Sequence, residues 1–343
     1  MFYIVIYSHV YTIFFSGSVC RDGPVLIVSG VGPGVVRYFL DGRDPGAWSG
    51  GATALLGLSG NPGRVELRRV LQGRDPMTGL HLTEHPGRRR RAGWDLVFSA
   101  PKSLSLVVSR ATPLSAQTLH EAHTTAVEDV MRHLEGRLLL HRRSDDGGFL
   151  RADGLIAATF RHSQNGAAEP HLHSHVLIVN LSRSGDTWGC VRGSEWFVDR
   201  TALAALYHLG LRHHLTQRGW TLDWHLRPDG LADLAEVPTA AVRAASTRSR
   251  LAVSTGRFAA PSTGRRDQDP AAPGGGGWVG DPVLLPGSGI GLMPGTRPGP
   301  GPDLERRVAL RLSTRRSDFR LADVVMAMAS SCPAGLRAQD ALA

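Results

Sequence analysis

Three histidines lie at every second position of the segment EPHLHSHVLIVN, residues 169–180, and a run of aliphatic residues follows them. This pattern predicts a buried β-strand, on which side chains two positions apart share one face. His171, His173 and His175 therefore point the same way. Because neutral imidazole is the commonest metal ligand among protein side chains, metal binding is the chemistry that this strand suggests first.

One strand does not easily bring all three rings to a single ion. Each residue advances a strand by roughly 3.3 Å, which places the outer two Cα atoms about 13 Å apart. A divalent ion lies about 2.1 Å from each imidazole nitrogen, so two neighbouring histidines converge on an ion far more readily than three. We therefore expect a neighbouring strand to supply the third ligand.

His162 is the candidate for this third ligand. It ends the segment GLIAATFRH, residues 154–162, which also reads as a strand. The intervening residues 163–170, SQNGAAEP, are polar and contain glycine and proline, so they can close an antiparallel hairpin. This hairpin places His162 beside the pair His173 and His175.

His171 is then left outside the ligand set, and we expect it to line a DNA-binding surface or to be solvated. The alternative for the whole group is a set of strand histidines that bind no metal. A site with three histidine ligands leaves coordination positions open for a substrate, which suits catalysis better than a structural role. Imidazole does not identify the metal, because it serves several transition ions.

Composition indicates the class of partner and the compartment. The chain of 343 residues has a formal net charge of +9, which favours a polyanionic partner such as nucleic acid. Free use of arginine by a GC-rich genome is the alternative explanation. The three cysteines are far apart and form no CxxC pair, which argues against disulfides and thiolate zinc sites and predicts a reducing cytoplasm. No phosphate-binding loop sequence occurs, and we expect no small-molecule cofactor.

The elements that must position the histidines lie within residues 32–250, which read as one folded unit. Hydrophobic periodicity predicts three helices and three strands. The helices are 64–73, 114–137 (with Ser115 as its N-cap) and 200–219, and the strands are 94–101, 154–162 and 171–182. The predicted fold class is α/β (α+β), with a central antiparallel β-sheet flanked by helices.

Three segments are predicted to lie outside this domain. Residues 1–31 begin with an apolar run that lacks the basic start of a signal peptide, and we interpret them as a non-native or disordered extension, with a membrane anchor as the alternative. Residues 251–305 are predicted to be a disordered linker, because 21 of the 43 residues from Pro261 to Asp303 are glycine or proline. Residues 306–343 regain helical periodicity and are predicted to be a short helical remnant.

The motifs resemble those of the TrwC-like (MobF-type) conjugative relaxases, DNA strand transferases of the histidine–hydrophobe–histidine (HUH) endonuclease class. FRH followed by PHLHSHVLIVN resembles the family's three-histidine motif, with steps of 11 and then 2 residues from His162 to His175. Further similarity lies in AGWDLVFSAPKSLSL (92–106), in the segment 36–60 that begins VRYFLDG, and more weakly in RTALAALYHLGLRHHL (200–215). Together these motifs cover about residues 32–250.

The resemblance implies a role for each matching residue. Tyr38 aligns with the nucleophilic tyrosine, and Asp95 aligns with the acidic residue near the tyrosine and the metal. The metal ligands are implied to be His162, His173 and His175, which would hold Mg²⁺ or Mn²⁺, with Zn²⁺ as an alternative. Attack on DNA would leave a covalent 5′-phosphotyrosine. Candidate phosphate contacts are Lys102, Arg88, Arg89, Arg90 and Arg91, and a solvated loop is the alternative for the arginine run.

The implied partner is single-stranded DNA at the transfer origin of a plasmid or integrative element. Relaxosome accessory proteins and a coupling protein are the further partners that the resemblance implies. The sequence departs from the family pattern at Phe39, which stands where many relatives carry a second tyrosine. The resemblance also leads us to expect a helicase domain after the relaxase domain, as relatives generally have, and the residues up to Ala343 show no such motif. Two alternatives follow: a catalytically impaired, truncated remnant that only binds DNA, and an unrelated three-histidine metallohydrolase.

Overall fold

The computed structural model describes residues 2–6, 9–13, 26–40, 44–83, 91–141, 149–192, 200–246, 303–313 and 321–342. The described strands are β1 (Phe2–Ile6), β2 (His9–Ile13), β3 (Leu26–Val31), β4 (Ala47–Ser49), β5 (Gly93–Ser99), β6 (Leu139–His141), β7 (Phe149–Arg151), β8 (Ala157–Gln164), β9 (Pro170–Val179), β10 (Ser182–Ser184), β11 (Thr187–Gly189), β12 (Trp224–Leu226) and β13 (Ala232–Leu234). The described helices are α1 (Val36–Leu40), α2 (Arg64–Leu71), α3 (Lys102–Val108), α4 (Pro113–Gly136), α5 (Arg200–Gln217), α6 (Thr239–Ala244), α7 (Leu304–Ser313) and α8 (Leu321–Ala329).

A five-stranded sheet in the order β3-β5-β9-β8-β4 forms the centre of the fold. Every neighbouring pair in it is antiparallel. Each of the remaining described strands pairs with one neighbour, in the two-stranded sheets β1-β2, β6-β7, β10-β11 and β12-β13. The predicted central antiparallel sheet with flanking helices is therefore confirmed.

The two faces of the middle strand, β9, belong to different parts of the core. Leu172, Val176 and Ile178 join a large cluster with buried residues of α4 and α5. Leu177 and Val179 join a second cluster with residues of α1 and α2. Because side chains alternate along a strand, the odd-numbered histidines of β9 face the side of α1 and α2, and its even-numbered residues face α4 and α5.

The long helix α4 covers almost the predicted range 114–137, but its N-cap differs from the prediction. The cap is Thr112, whose hydroxyl accepts a hydrogen bond from the backbone N–H of Ser115 at 3.3 Å. Pro113 occupies the first helical turn, where a missing N–H costs nothing. The helix therefore begins earlier than the predicted cap at Ser115, which was wrong.

The N-terminal boundary at residue 32 also differs from the structure. Leu26–Val31 pair along their whole length with β5, and Leu26 is buried. These residues form an edge strand of the central sheet and so lie inside the domain. Further upstream, β1 and β2 pair with each other, in segments rich in the β-branched and aromatic residues that favour strands. In the part of the chain that the structure describes, no helix combines the length and the apolar character needed to cross a bilayer.

The C-terminal helices are part of the main core. Residues of α7, α8 and the segment after them join the same cluster as α4 and α5, namely Leu304, Val308, Val325, Ala327, Ala329, Cys332, Leu336, Ala338 and Ala341. The fully buried Arg212 of α5 donates hydrogen bonds to the carbonyl oxygens of Ala329 at 2.7 Å and Cys332 at 3.4 Å. Within residues 306–343, the structure describes most of α7 and the whole of α8, and these helices pack into the domain. This packing corrects their description as a remnant separate from the domain. Most of the predicted linker 251–305 lies outside the described residues.

Replacing Gly335 with alanine is expected to loosen this C-terminal segment. Gly335 has a φ of +77°, and an added Cβ would lie 2.2 Å from the backbone nitrogen of His213 and 2.3 Å from the carbonyl oxygen of Leu209. The left-handed backbone and the clash together should cost at least about 3 kcal/mol of unfolding free energy, measured by denaturant titration.

Gly57 provides the matched control for this substitution. Its φ is +64°, but nothing lies within 4 Å of an added Cβ. Gly57→Ala should cost only the left-handed penalty, about 1 kcal/mol. Equal losses in the two variants would show that α5 and the C-terminal segment are not in close contact.

Candidate metal centre and nucleophile

The three predicted ligands lie together where β8 and β9 pair. His162 of β8 is directly opposite His173 of β9, and His175 follows two residues later on the same face. One nitrogen from each ring lies within 4.8 Å of the corresponding nitrogens of the other two. A bulge between His162 and Gln164 shifts the register just beyond this pair; such bulges re-aim side chains next to functional sites.

Hydrogen bonds orient two of the three rings. Nδ1 of His173 donates to the carbonyl oxygen of His171 at 2.8 Å. Nδ1 of His175 lies 3.0 and 2.9 Å from the two carboxylate oxygens of Asp95 on β5, which can only accept. Each bond leaves Nε2 as the nitrogen with an available lone pair. A histidine that donates its other N–H to a carboxylate or a carbonyl is the usual arrangement around protein-bound metals.

The protonation of the rings also suits metal binding. Burial lowers the pKa of His173 to about 3. Burial, and then the proximity of His175, lower the pKa of His162 from its ordinary value. Both imidazoles are therefore neutral near pH 7, as a metal ligand must be. A set of three imidazole ligands with open coordination positions fits a divalent ion that also contacts a substrate.

Tyr38 lies beside this cluster on the short helix α1. Its side chain is 64% exposed, and its ring centroid is 5.9 Å from that of His175. It is the exposed tyrosine among the side chains that the structure describes, since Tyr207 is fully buried. Partial burial and, second, the charge of Asp95 raise the pKa of Tyr38. A phenol in this position needs a nearby cation and a proton acceptor before it can attack at neutral pH.

Phe39 holds α1 in this place. It is 1% exposed, and it stacks on Phe160 of β8 with ring centroids 5.1 Å apart. It also meets the ring of His175 edge-on at 5.4 Å. The residue in the second tyrosine position thus packs in the core, and this contact leaves the preceding side chain, Tyr38, facing solvent next to the histidines.

His171 lies beside the cluster but outside it. Its ring centroid is 4.6 Å from that of His173, and its Nε2 is 3.4 Å from the hydroxyl of Ser99. It does not belong to the group of residues that converge on one point. Its predicted contact with DNA stays a prediction.

Lys102, a predicted phosphate contact, lies against the β8–β9 turn. Its side chain is only 10% exposed, its Nζ donates to the carbonyl oxygen of Pro170 at 2.7 Å, and the carboxylate of Glu169 lies 3.8 Å away. These bonds fasten the start of α3 to the β8–β9 turn. The ammonium group is thus engaged with the hairpin that carries the histidines, and its contact with phosphate stays a prediction.

The predicted arginine run is only partly described. Arg88, Arg89 and Arg90 lie outside the described residues. Arg91 is exposed, and its guanidinium carbon is 5.9 Å from the ring centroid of Trp94. Contact of this arginine with phosphate stays a prediction.

Asp44 is a site residue that the sequence reasoning missed. Its carboxylate accepts hydrogen bonds from the backbone N–H groups of Arg161 at 2.9 Å and Gly46 at 2.7 Å. The bond from Arg161 links the segment after α1 to β8, at the residue that precedes His162. The signal was present in DGRDPG, because an aspartate before Pro-Gly commonly caps a turn.

Comparison with known proteins places these features in a family. The model of the TrwC relaxase family matches residues 21–270, which include β3. The multifunctional conjugation protein TraI of Escherichia coli is 29% identical over 226 residues, which span 62% of this chain and 12% of TraI. The TraI of Escherichia coli strain K12 is 28% identical over the same share of both chains. The chain thus spans about an eighth of the length of these curated relatives.

Solved structures share the fold. Conjugative relaxase TrwC in its metal-bound complex with OriT DNA is 26% identical with a TM-score of 0.59, over 67% of this chain and 82% of that one. TrwC with a 27-mer DNA comprising the recognition hairpin and the cleavage site is 25% identical with a TM-score of 0.59, over 67% and 81%. The metal-free complex of TrwC with OriT DNA is 26% identical with a TM-score of 0.58, over 67% of this chain and 82% of that one. The predicted relaxase fold is confirmed.

Proposed function

Because this chain belongs to the TrwC relaxase family, we propose that it nicks single-stranded DNA at a transfer origin through a covalent bond to Tyr38. The observation that carries this proposal is the exposed phenol 5.9 Å, ring to ring, from a histidine of a three-histidine cluster. The solved relatives support the substrate class, since TrwC is in complex with OriT DNA in two of them and with a 27-mer DNA that comprises the recognition hairpin and the cleavage site in the third. Basic net charge is in keeping with such a partner.

His162, His173 and His175 would hold the divalent ion, which we propose to be Mg²⁺ or Mn²⁺, with Zn²⁺ as the alternative. Their support is the convergence of their ring nitrogens and, for TrwC, the existence of metal-bound structures. When bound there, a divalent ion polarises the scissile phosphate and neutralises charge that develops on it. The chain's contribution is to present three convergent imidazole rings, two of them oriented by hydrogen bonds, and to leave the remaining coordination positions open.

Tyr38 performs the proposed transfer. Its phenolic oxygen attacks the phosphorus of the scissile phosphodiester and forms a new P–O bond, while the bond from phosphorus to the 3′-oxygen breaks. The products are a 5′-phosphotyrosine and a DNA strand that ends in a 3′-hydroxyl, which takes up a proton. Because one phosphoester replaces another, the free energy of the phosphodiester is conserved and the strand can be rejoined by the reverse reaction.

Asp95 supports this chemistry through His175. Both of its carboxylate oxygens lie within 3.0 Å of Nδ1 of His175, so the role that its contacts favour is to orient that ring. Its charge adds electron density to the imidazole and strengthens the ring as a ligand. Its negative charge also disfavours the tyrosinate form of Tyr38, which makes charge balance at the histidines important for the nucleophile.

The experiment that tests the proposal uses the full chain and labelled single-stranded oligonucleotides that tile the candidate transfer origin, with Mg²⁺ or Mn²⁺. A protein–DNA band that survives a denaturing gel and disappears with chelator is the expected result. Binding without such a band, on an oligonucleotide that an intact relative cleaves, would instead indicate the DNA-binding remnant. Cleavage to a 5′-phosphate without attached protein would indicate hydrolysis by water.

The proposed surroundings of the reaction follow the family. We propose cytoplasmic location, with relaxosome accessory proteins and a coupling protein as partners. Copurification of such proteins with the tagged full chain from cells that carry the mobile element would test these partners.

Replacing Asp95 with asparagine is expected to weaken metal binding by about 10–100-fold, the usual effect of changing the group behind a ligating histidine. The amide is the same size but neutral, and its NH₂ group favours the ring tautomer with the proton on Nε2. Isothermal titration with Mn²⁺ measures the effect. Glu135→Gln is the control, because it neutralises a carboxylate that bonds backbone N–H groups and no histidine ligand. Glu135 accepts hydrogen bonds from the backbone N–H groups of Leu155 at 2.6 Å and of Gly51, so its replacement should leave metal affinity unchanged.

A further inference from the structure

A chain of buried hydrogen bonds lies behind the histidine strand. Nε2 of His123 on α4 is 2.7 Å from the hydroxyl of Ser174 on β9. Nδ1 of the same ring is 2.6 Å from the hydroxyl of Tyr207 on α5. Ser174 is 1% exposed, and His123 and Tyr207 are completely buried. We call these three residues the buried bridge.

The buried bridge joins the middle strand of the sheet to both long helices. A neutral imidazole donates from one nitrogen and accepts at the other, so His123 can satisfy one hydroxyl on each side. Burial lowers the pKa of His123 to about 3, which keeps the ring neutral. Loss of one partner would leave a buried polar group without a hydrogen bond, which costs unfolding free energy. This free-energy cost restricts the buried bridge to a narrow range of geometries.

Ser174 connects this bridge to the metal centre. It is the residue between His173 and His175, and its side chain points to the opposite face of β9. In the register of the sheet it is paired with Phe98 of β5 and Arg161 of β8, and Arg161 immediately precedes His162. A shift or rotation of β9 at Ser174 would therefore move His173 and His175 and change their alignment with His162.

The mechanism of Tyr38 does not use His123, Ser174 or Tyr207, although these polar groups lie in a core that is otherwise hydrophobic. Leu119, Ala126 and Val130 of α4 already pack in the same cluster as Leu172 and Val176 of β9. Hydrogen bonds that end at Ser174, between two ligands, are directional. They therefore fix the position and rotation of β9 more closely than these nondirectional apolar contacts do. Directional fixation is what a ligand set needs, since its geometry must be held within about 0.5 Å.

We propose that His123, Ser174 and Tyr207 are positioning residues that hold His173 and His175 in ligand geometry and so raise the affinity of the site for its divalent ion. This inference rests on the proposed function, because it requires that the three histidines bind a metal. The residues act from the reverse face of the sheet, where all three are buried.

The test is a Co²⁺ titration of the full chain, followed by visible absorption, which reports both affinity and coordination geometry. Ser174→Ala and Tyr207→Phe each remove one hydroxyl and little volume. Each should weaken Co²⁺ binding by about 3–10-fold and alter the visible bands, less than the 10–100-fold expected for a group that contacts the ligand itself. The double variant should bind about as weakly as either single variant, because breaking either end releases the same strand.

Ser103→Ala is the matched control. Ser103 is also fully buried, but its hydroxyl bonds Asp233 and the backbone N–H of Leu234, away from β9. It should lower the unfolding temperature by a similar amount and leave Co²⁺ affinity and spectrum unchanged.

Three outcomes would overturn the inference. Ser174→Ala and Tyr207→Phe with the Co²⁺ affinity and spectrum of the native chain would remove the positioning role while leaving the proposed function intact. An equal loss of Co²⁺ affinity in Ser103→Ala would assign the effect to general destabilisation. Failure of the native chain itself to bind Co²⁺ would overturn both the inference and the metal-dependent part of the proposed function.

Discussion

Tyr38→Phe is expected to abolish the covalent protein–DNA band and to lower the rate of strand cleavage by at least about 10³-fold, as loss of a nucleophile does in other covalent enzymes. The substitution removes only the phenolic oxygen. The side chain is 64% exposed, and no hydrogen bond of its hydroxyl contributes to the described core, so stability should change little. DNA binding should therefore persist while the chemistry stops.

Quantitative cleavage assays with 5′- and 3′-labelled strands measure this effect and also identify which DNA end carries the protein. Tyr11→Phe provides the control, because it makes the same chemical change on β2, which pairs with β1 outside the central sheet. A Tyr38→Phe protein that still forms the covalent band would assign the nucleophile to another residue. A protein that cleaves normally without the band would favour the metallohydrolase alternative.

The histidine cluster was predictable because its determinants are local. The alternation of His171, His173 and His175 sets their common face, and the polar turn after His162 sets the hairpin register. The structure places His162 opposite His173, as this reasoning requires. The exclusion of His171 from the cluster followed from two local features. Strand spacing favours two neighbouring histidines over all three, and the predicted hairpin places His162 beside His173 and His175.

Tyr38 was not predictable in this way. Its position depends on the packing of Phe39 against Phe160, two residues that are far apart in the sequence. Nothing in the pattern VRYFLDG distinguishes a reactive tyrosine from a core aromatic, and here the second aromatic, Phe39, is the core residue. The resemblance to a family supplied the assignment that periodicity does not contain.

The contacts of Lys102 and of the C-terminal segment were also not predictable from the sequence. The sequence does not show that a carbonyl and a carboxylate from the β8–β9 turn hold the ammonium group of Lys102. Residues 306–343 look detached because a glycine- and proline-rich stretch precedes them. Arg212 nevertheless bonds the carbonyl oxygens at the end of α8. Both outcomes depend on contacts between distant segments.

His173→Ala is expected to have the second large effect, a loss of divalent-metal affinity well beyond the roughly 10–100-fold typical of a residue behind a ligand, and with it the loss of DNA cleavage. The variant deletes one of three convergent nitrogens, and two imidazoles hold a divalent ion far less well than three. His173 is only 8% exposed, so the substitution also affects folding. A control must separate this effect from the loss of metal binding.

His171→Ala separates them. It deletes the same kind of ring two residues earlier on β9, 4.6 Å from the ring of His173, but outside the convergent group. His173 bonds the backbone carbonyl of residue 171, which alanine retains, so the orientation of the ligand is preserved. Titration with Mn²⁺ should therefore give near-native affinity for His171→Ala and severe loss for His173→Ala. If both variants lost the metal equally, the ion would be held by the odd-numbered face of β9 as a whole, and His162 would no longer be required to complete the site.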